Sequence, residues 1–264
     1  MNKHFTIAID GPAGAGKSTV AKTVAARLGA IYLDTGAMYR AVGLYMLRNG
    51  VNPKDSETVS ARAHEAKVDI RYVEGSQHVY LCGEDVSAAI RENEVSAAAS
   101  GVSAVPRVRE ILVARQQEIA KEQPVVMDGR DIGTKVLPDA TLKIFLTASA
   151  EERARRRFEE LKAKGKPVPY EQLLAEINQR DWDDSHRAAS PLCQAEDAIL
   201  LDSSDMTQDE VSEKILALAA ERIKVYESQL FLPGRAQPVV LVKMMDDPGS
   251  FTNLVQTGAG IKIT

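Results

Sequence analysis

The sequence predicts a three-layer α/β fold built on a five-stranded parallel sheet. Five short apolar runs begin near Phe5, Ile31, Val125, Leu142 and Ala198, and helical patterns lie between them. The chain also opens in the order strand, helix, strand, which marks parallel pairing with ligands received at the carboxyl ends of the strands.

The first turn carries the sharpest signal. Gly11-Pro12-Ala13-Gly14-Ala15-Gly16-Lys17-Ser18 fits G-x-x-x-x-G-K-[ST], between the apolar run Phe5 to Ile9 and a helical pattern from Thr19 towards Leu28. Strand, glycine loop and helix together are the setting of a phosphate-binding loop, a P-loop. Its glycines let successive N–H groups and the helix N-terminus face anionic oxygens. The expected nucleotide-binding set is therefore Gly11, Pro12, Ala13, Gly14, Ala15, Gly16, Lys17, Ser18 and Thr19. Lys17 would reach the β- and γ-phosphates of a nucleoside triphosphate, and Ser18 would offer its hydroxyl to Mg²⁺.

Further along, Ile31 to Asp34 reads as a strand, and a helix is expected from Met38 to about Arg48, closed by Asn49-Gly50. The pattern then changes to alternating apolar and polar residues from Val68 to Tyr72 and again from His78, with turns at Glu74-Gly75-Ser76 and Gly83-Glu84-Asp85. That is an antiparallel meander, foreign to a parallel sheet and so an inserted subdomain. Helices follow from Glu94 to Ala104 and from Val108 to Lys121, and core strands run from Pro124 to Met127 and from Leu142 to Leu146. A helix acidic at its start follows Ser149; a loop at 164–169 and a polar helix from about Glu171 to Asp184 come next. The Ala198 strand and an amphipathic helix from Thr207 to Arg222 complete the core, giving a domain over residues 1–222. From about Ile223 the composition shifts, and a C-terminal extension of turns and short strands, including Val239 to Val242, is expected over 223–264.

Composition narrows the classes. The 264 residues carry a net charge of -4, so nothing global points to nucleic acid. Cys82 and Cys193 form no framework and are expected as small, buried or half-buried side chains; the four histidines are scattered. No stretch approaches the ~20 apolar residues of a membrane span, and the short N-terminal apolar run lacks a signal-peptide core. A reducing cytoplasm and a monomer are the expected setting.

Four clusters besides the P-loop sit where strands end. Asp34 to Arg40 places Arg40 on a helix, where spacing alone leaves a phosphate-binding fork and a surface arginine equally open. Asp128-Gly129-Arg130-Asp131-Ile132-Gly133-Thr134 sets a cation beside a carboxylate at a strand end, which favours function. Arg153-Ala154-Arg155-Arg156-Arg157 puts Arg153 and Arg157 on one helical face before a Gly/Pro loop. Such a run suits a solvated face, a nucleic-acid contact or a mobile lid over phosphates. Arg180 to Arg187 flanks three carboxylates with two arginines and says little alone.

Taken together, these segments resemble the bacterial cytidylate kinases of the nucleoside monophosphate kinase superfamily. The likeness rests on residues 11–18, 34–40, Pro106-Arg107-Val108-Arg109, 128–134 and the arginine-rich segments after 150 and 180, and covers about residues 3 to 222. It implies a monophosphate-binding insert at about 35–121, holding the meander, and an arginine-rich helical lid at about 150–187. It implies that Arg40, Arg130 and Arg187 grip the CMP phosphate, with Thr35 among the acceptor-binding residues. Ser100, Arg109 and Asp131 would read the cytosine edge, Asp184 would contact the ribose, and Arg153, Arg157 and Arg180 would join Lys17 near the transferring phosphoryl group. The chemistry suits them: a carboxylate can accept from the N4 amine of cytosine while an arginine donates to N3 or O2.

The implied reaction is transfer of the γ-phosphoryl group of ATP to CMP or dCMP, with Mg²⁺. The nearest rival is another P-loop kinase acting on UMP, AMP or shikimate; a regulatory P-loop ATPase stands further off. A GTPase would want an Asn-Lys-x-Asp element late in the chain, and Asn2-Lys3 is followed by His4-Phe5 instead.

Overall fold

Strand β1 (Thr6–Asp10) is buried along its whole length, as a central strand covered on both faces must be. The computed structural model describes residues 4–230, 254–257 and 260–263. After β1 the chain turns through Gly11, whose φ is +147° and where a Cβ would lie 1.9 Å from the Leu146 carbonyl oxygen, so only glycine fits. Helix α1 (Lys17–Leu28) starts at Gly16 and stops at Gly29, both left-handed. β2 (Ile31–Asp34) then leads straight into α2 (Thr35–Arg48). This helix begins three residues before the expected Met38, because the Asp34 carboxylate caps it by accepting from the Ala37 N–H at 2.9 Å.

Helix α3 (Ser56–Arg62) precedes the expected meander, which forms a separate antiparallel sheet of β3 (Val68–Val73), β4 (Ser76–Leu81) and β5 (Glu84–Asp85). Helices α4 (Asn93–Ser103) and α5 (Pro106–Glu122) return the chain to the core. Pro106 at the start of α5 loses no hydrogen bond there. At Gly43 a Cβ would stand 3.0 Å from the Ala99 backbone nitrogen, so glycine lets α2 and α4 cross closely.

β6 (Val125–Gly129) ends in a single π-helical turn, Ile132–Val136. β7 (Leu142–Thr147) leads into α6 (Ala150–Ala163), capped by Ser149 accepting from the Glu152 N–H at 3.1 Å. α7 (Tyr170–His186) packs back along α6. β8 (Ile199–Asp202) and α8 (Gln208–Leu230) follow. α8 runs eight residues past the expected end at Arg222, because its helix-forming sequence meets no glycine or proline before Leu230.

The core sheet is ordered β2-β6-β1-β7-β8, all parallel, with Ile7 opposite both Val126 and Leu142. By contacts the chain divides into two units, Met1–Ala220 and Glu221–Thr264. The second contains an antiparallel pair, β9 (Leu254–Thr257) and β10 (Gly260–Ile263). The Val239 to Val242 run lies outside the described residues. Cys82 and Cys193 correct an expectation: both are exposed and unpaired, since each sits in a connecting segment on the surface.

Candidate active site

Strand β1 delivers the P-loop, β2 delivers Asp34, and β6 delivers Asp128 to Asp131, all at the carboxyl edge of one sheet. A cavity of about 230 Å³ opens there. Of the expected site residues, Ala13, Gly14, Lys17, Ser18, Thr35, Arg40, Ser100, Arg109, Arg130, Asp131, Arg180, Asp184 and Arg187 line it. They come from the P-loop, α1, α2, α4, α5, the turn after β6, α7 and the residue that follows it. Folding therefore gathers segments spread over 175 positions of sequence around one small volume.

The P-loop end is tightly bound. Lys17 is buried and donates from Nζ to the Pro12 carbonyl at 2.6 Å, closing the loop over its own side chain. Burial and the neighbouring Arg130 cation push the Lys17 ammonium well below the usual lysine range, although Asp128 and Asp10 pull the other way. Ser18 Oγ donates to Asp128 Oδ2 at 2.9 Å, and Tyr32 Oη donates to Asp128 Oδ1 at 2.8 Å. Burial, then the Asp34 charge, raises the Asp128 carboxyl. Thr35 spends its hydroxyl on the Asp128 carbonyl at 2.7 Å. Gly11 and Ala15 are buried beneath the loop, and Thr19 is exposed on α1, where it lines neither this cavity nor the next.

The same cavity carries a group of arginines. Arg130 donates from Nε to Asp184 Oδ2 at 2.8 Å, and Arg40 stands 3.5 Å from Asp34. Burial pushes the Asp184 carboxyl up, but the Arg130, Arg180 and Arg187 cations outweigh it and hold the carboxyl below the ordinary range. Burial and the Arg130 charge lower Arg180, and burial and the Arg109 charge lower Arg187. Crowded cations that depress one another form a site short of negative charge. Arg187 Nη2 is buried without a partner among the described residues.

Deeper in, Arg109 and Asp131 form an ion pair in which both side chains are almost fully buried. Arg109 also donates from Nη1 to the Ser103 carbonyl at 3.1 Å and lies 5.3 Å from the Tyr39 ring centroid; its Nε has no partner among the described residues. Ser100 reaches the same cavity from α4.

Two arginines stand elsewhere. Arg153 is buried, and its guanidinium is fully engaged: Nε donates to the Ala148 carbonyl at 2.9 Å, Nη1 to the Ala13 carbonyl at 3.0 Å, and both Nη atoms reach the Asp181 carboxylate. It braces the P-loop against α7 and does not face the cavity. Arg157 pairs with Glu160 at 2.9 Å and lines a second, outer cavity of about 880 Å³, shared with Ser18 and Arg40.

Residue spacing did not single out Asp10, Tyr32, Gln77 or the role of Asp128. Asp128 had a signal, a carboxylate at the end of a buried strand beside the P-loop strand. Gln77 had none: its amide accepts from the Asp34 N–H at 2.7 Å and donates to the Asp34 carbonyl at 3.3 Å, a pairing set by tertiary contact.

Comparison with known proteins fits this geometry. The family model described as cytidylate kinase matches residues 7–221. A cytidylate kinase of Caldicellulosiruptor bescii is 55% identical over 222 residues, covering 84% of this chain and 98% of its own. One from Caldanaerobacter subterraneus is 54% identical over 215 residues, covering 81% and 94%. One from Bacillus licheniformis is 52% identical over 223 residues, covering 84% and 99%. With a P-loop and a group of arginines lining one cavity, and likeness along nearly the full length of these relatives, this chain belongs to the cytidylate kinase family.

Proposed function

We infer that this chain transfers the γ-phosphoryl group of ATP to CMP or dCMP, giving ADP and the diphosphate. The observation that carries this reading is the convergence of Arg40, Arg130, Arg180 and Arg187 with the buried Arg109–Asp131 pair on one cavity beside Lys17. A phosphate-sized positive region next to a buried carboxylate suits a nucleotide whose base carries an exocyclic amine.

Phosphoryl transfer needs in-line positioning and charge neutralisation more than covalent chemistry. The acceptor is an already ionised phosphate oxygen, so no general base is required. In our reading Arg40, Arg130 and Arg187 hold the acceptor phosphate, with Asp184 fixing Arg130 and facing the ribose. Ser100, Arg109 and Asp131 meet the base. Lys17 and Arg180 face the transferring group, while Arg153 keeps the loop in shape and Arg157 waits at the outer rim. Ser18 Oγ and the Asp128 carboxylate are hard oxygen donors 2.9 Å apart, and they fit a Mg²⁺ ion completed by phosphate oxygens and water. Such an ion would neutralise the β- and γ-oxygens. Movement of α6 and α7 over the cleft would exclude water.

The active unit is assigned to residues 1–222, acting as a monomer. Two unpaired exposed thiols suit a reducing cytoplasm. An ADP-release assay across CMP, dCMP, UMP, AMP and GMP tests the reading. CMP and dCMP should be preferred, UMP poorer and the purines negligible; AMP as best acceptor would sink it.

A further inference from the structure

Asp10 ends β1 directly before the P-loop, and its side chain is bound by the segment that follows β6. It is buried, and both its oxygens are taken: Oδ1 accepts from the Ile132 N–H at 2.8 Å and Oδ2 from the Gly133 N–H at 2.7 Å. Those amides open the π-helical turn that directly follows Arg130 and Asp131. A carboxylate presents two separate acceptor oxygens and no donor, so each amide has an oxygen of its own. We propose that Asp10 is a positioning residue for acceptor recognition, holding Ile132 and Gly133 so that Asp131 meets Arg109 and Arg130 meets Asp184. This inference rests on the cytidylate kinase reading of the cavity.

Its chemistry separates positioning from mere packing. Asp131 and Lys17 are the charged groups that face Asp10, and burial outweighs its two amide bonds to push the Asp10 carboxyl up to about 6. The fold thus retains a charge that it would hold more cheaply as a neutral group. Asp10→Asn removes that charge and one of the two acceptors. Relief of the buried charge and the amide left unpaired oppose each other, so overall stability should change little while the turn bearing Arg130 and Asp131 loosens.

The test is calorimetric binding of CMP and of ADP, measured separately on Asp10→Asn, together with its melting temperature and CMP and UMP kinetics. CMP affinity should fall tenfold or more, ADP affinity should stay within threefold, the CMP/UMP ratio should narrow, and the melting temperature should move by only a few degrees. Gly133→Ala disturbs the same contact from the other side, since its Cβ would stand 3.3 Å from Asp10 Oδ2 and 3.1 Å from Lys143 Cδ. It should repeat the selective loss for CMP and decides the matter if the first variant does not fold. Equal losses for CMP and ADP, unchanged CMP binding, or failure of both variants to fold would overturn the proposal. A wild-type enzyme that ignored CMP would instead remove the functional reading beneath it.

Discussion

Replacing Asp131 by asparagine preserves shape and deletes one charge from an almost fully buried ion pair. Arg109 would keep the Ser103 carbonyl and a neutral oxygen at position 131, with its Nε unpartnered among the described residues. Breaking a buried pair outright costs about 3–5 kcal/mol, because the surviving charge is left uncompensated. Asparagine leaves a neutral acceptor, so the loss should resemble that of a hydrogen bond to a charged group, about 2–3 kcal/mol. For a protein of this size that lowers the melting temperature by about 4–12 °C. The same change affects catalysis. A carboxylate only accepts, which suits the cytosine amine, whereas an amide can also donate to O4 of uracil. CMP turnover per unit KM should fall about 30- to 150-fold, and the penalty against UMP should shrink. Circular-dichroism melting and steady-state kinetics with both nucleotides measure the two effects. A lower melting temperature with an unchanged CMP/UMP ratio would mean that Asp131 holds the cavity wall and does not read the base.

Three other outcomes follow from the same cavity. Lys17 is depressed by burial and by Arg130, and a bound triphosphate adds the negative charge that restores its ammonium form. ATP binding should therefore take up a proton above neutral pH, seen by calorimetry in HEPES and Tris; a Lys17→Met variant that took up as many would refute this. Asp10 titrates at 3.8 unfolded and about 6 folded, so its charge costs stability above pH 6 and that cost vanishes below pH 4. The difference is worth about 3 kcal/mol. Wild-type stability should thus gain from this group as pH falls through that window, and Asp10→Asn should lack the gain in urea titrations at pH 4 to 7. Removal of residues 231–264, cut after α8 rather than at Arg222, should leave turnover within a few-fold; a folded but inactive product would place part of the site in the removed segment.

Much of this architecture was legible because its signals are local. The P-loop is contiguous, the buried strands are unbroken apolar runs, and the meander alternates where the core strands do not. The start of α2 was misjudged because Thr35 and Gly36 are weak helix formers, overridden by the Asp34 cap. Site residues gathered from single motifs, such as Arg130 and Asp131, share the cavity as expected. Arg153 shows the limit of spacing arguments. One turn from Arg157, it points inward to the Ala13 carbonyl and Asp181 while Arg157 points outward to Glu160. Periodicity records that two residues share a face of a helix but not what that face meets. Asp10 and Gln77 were invisible for the same reason, since their partners are more than 40 residues away.

The strand order has a consequence for how the chain is born. β1 and β2 never pair with each other; each lies against β6, and β1 otherwise has only β7. When Asp10 emerges from the ribosome, its partner strand is still to be made, and Gly129 follows on the order of ten seconds later at ordinary rates of synthesis. Throughout that interval two apolar strands with unmatched backbone edges trail behind the growing insert. The nascent chain can meanwhile close only its local units, α2 against α4 and the β3–β4–β5 sheet. Synthesis of the Val125 segment is then the committing event, because a single strand satisfies both waiting edges at once.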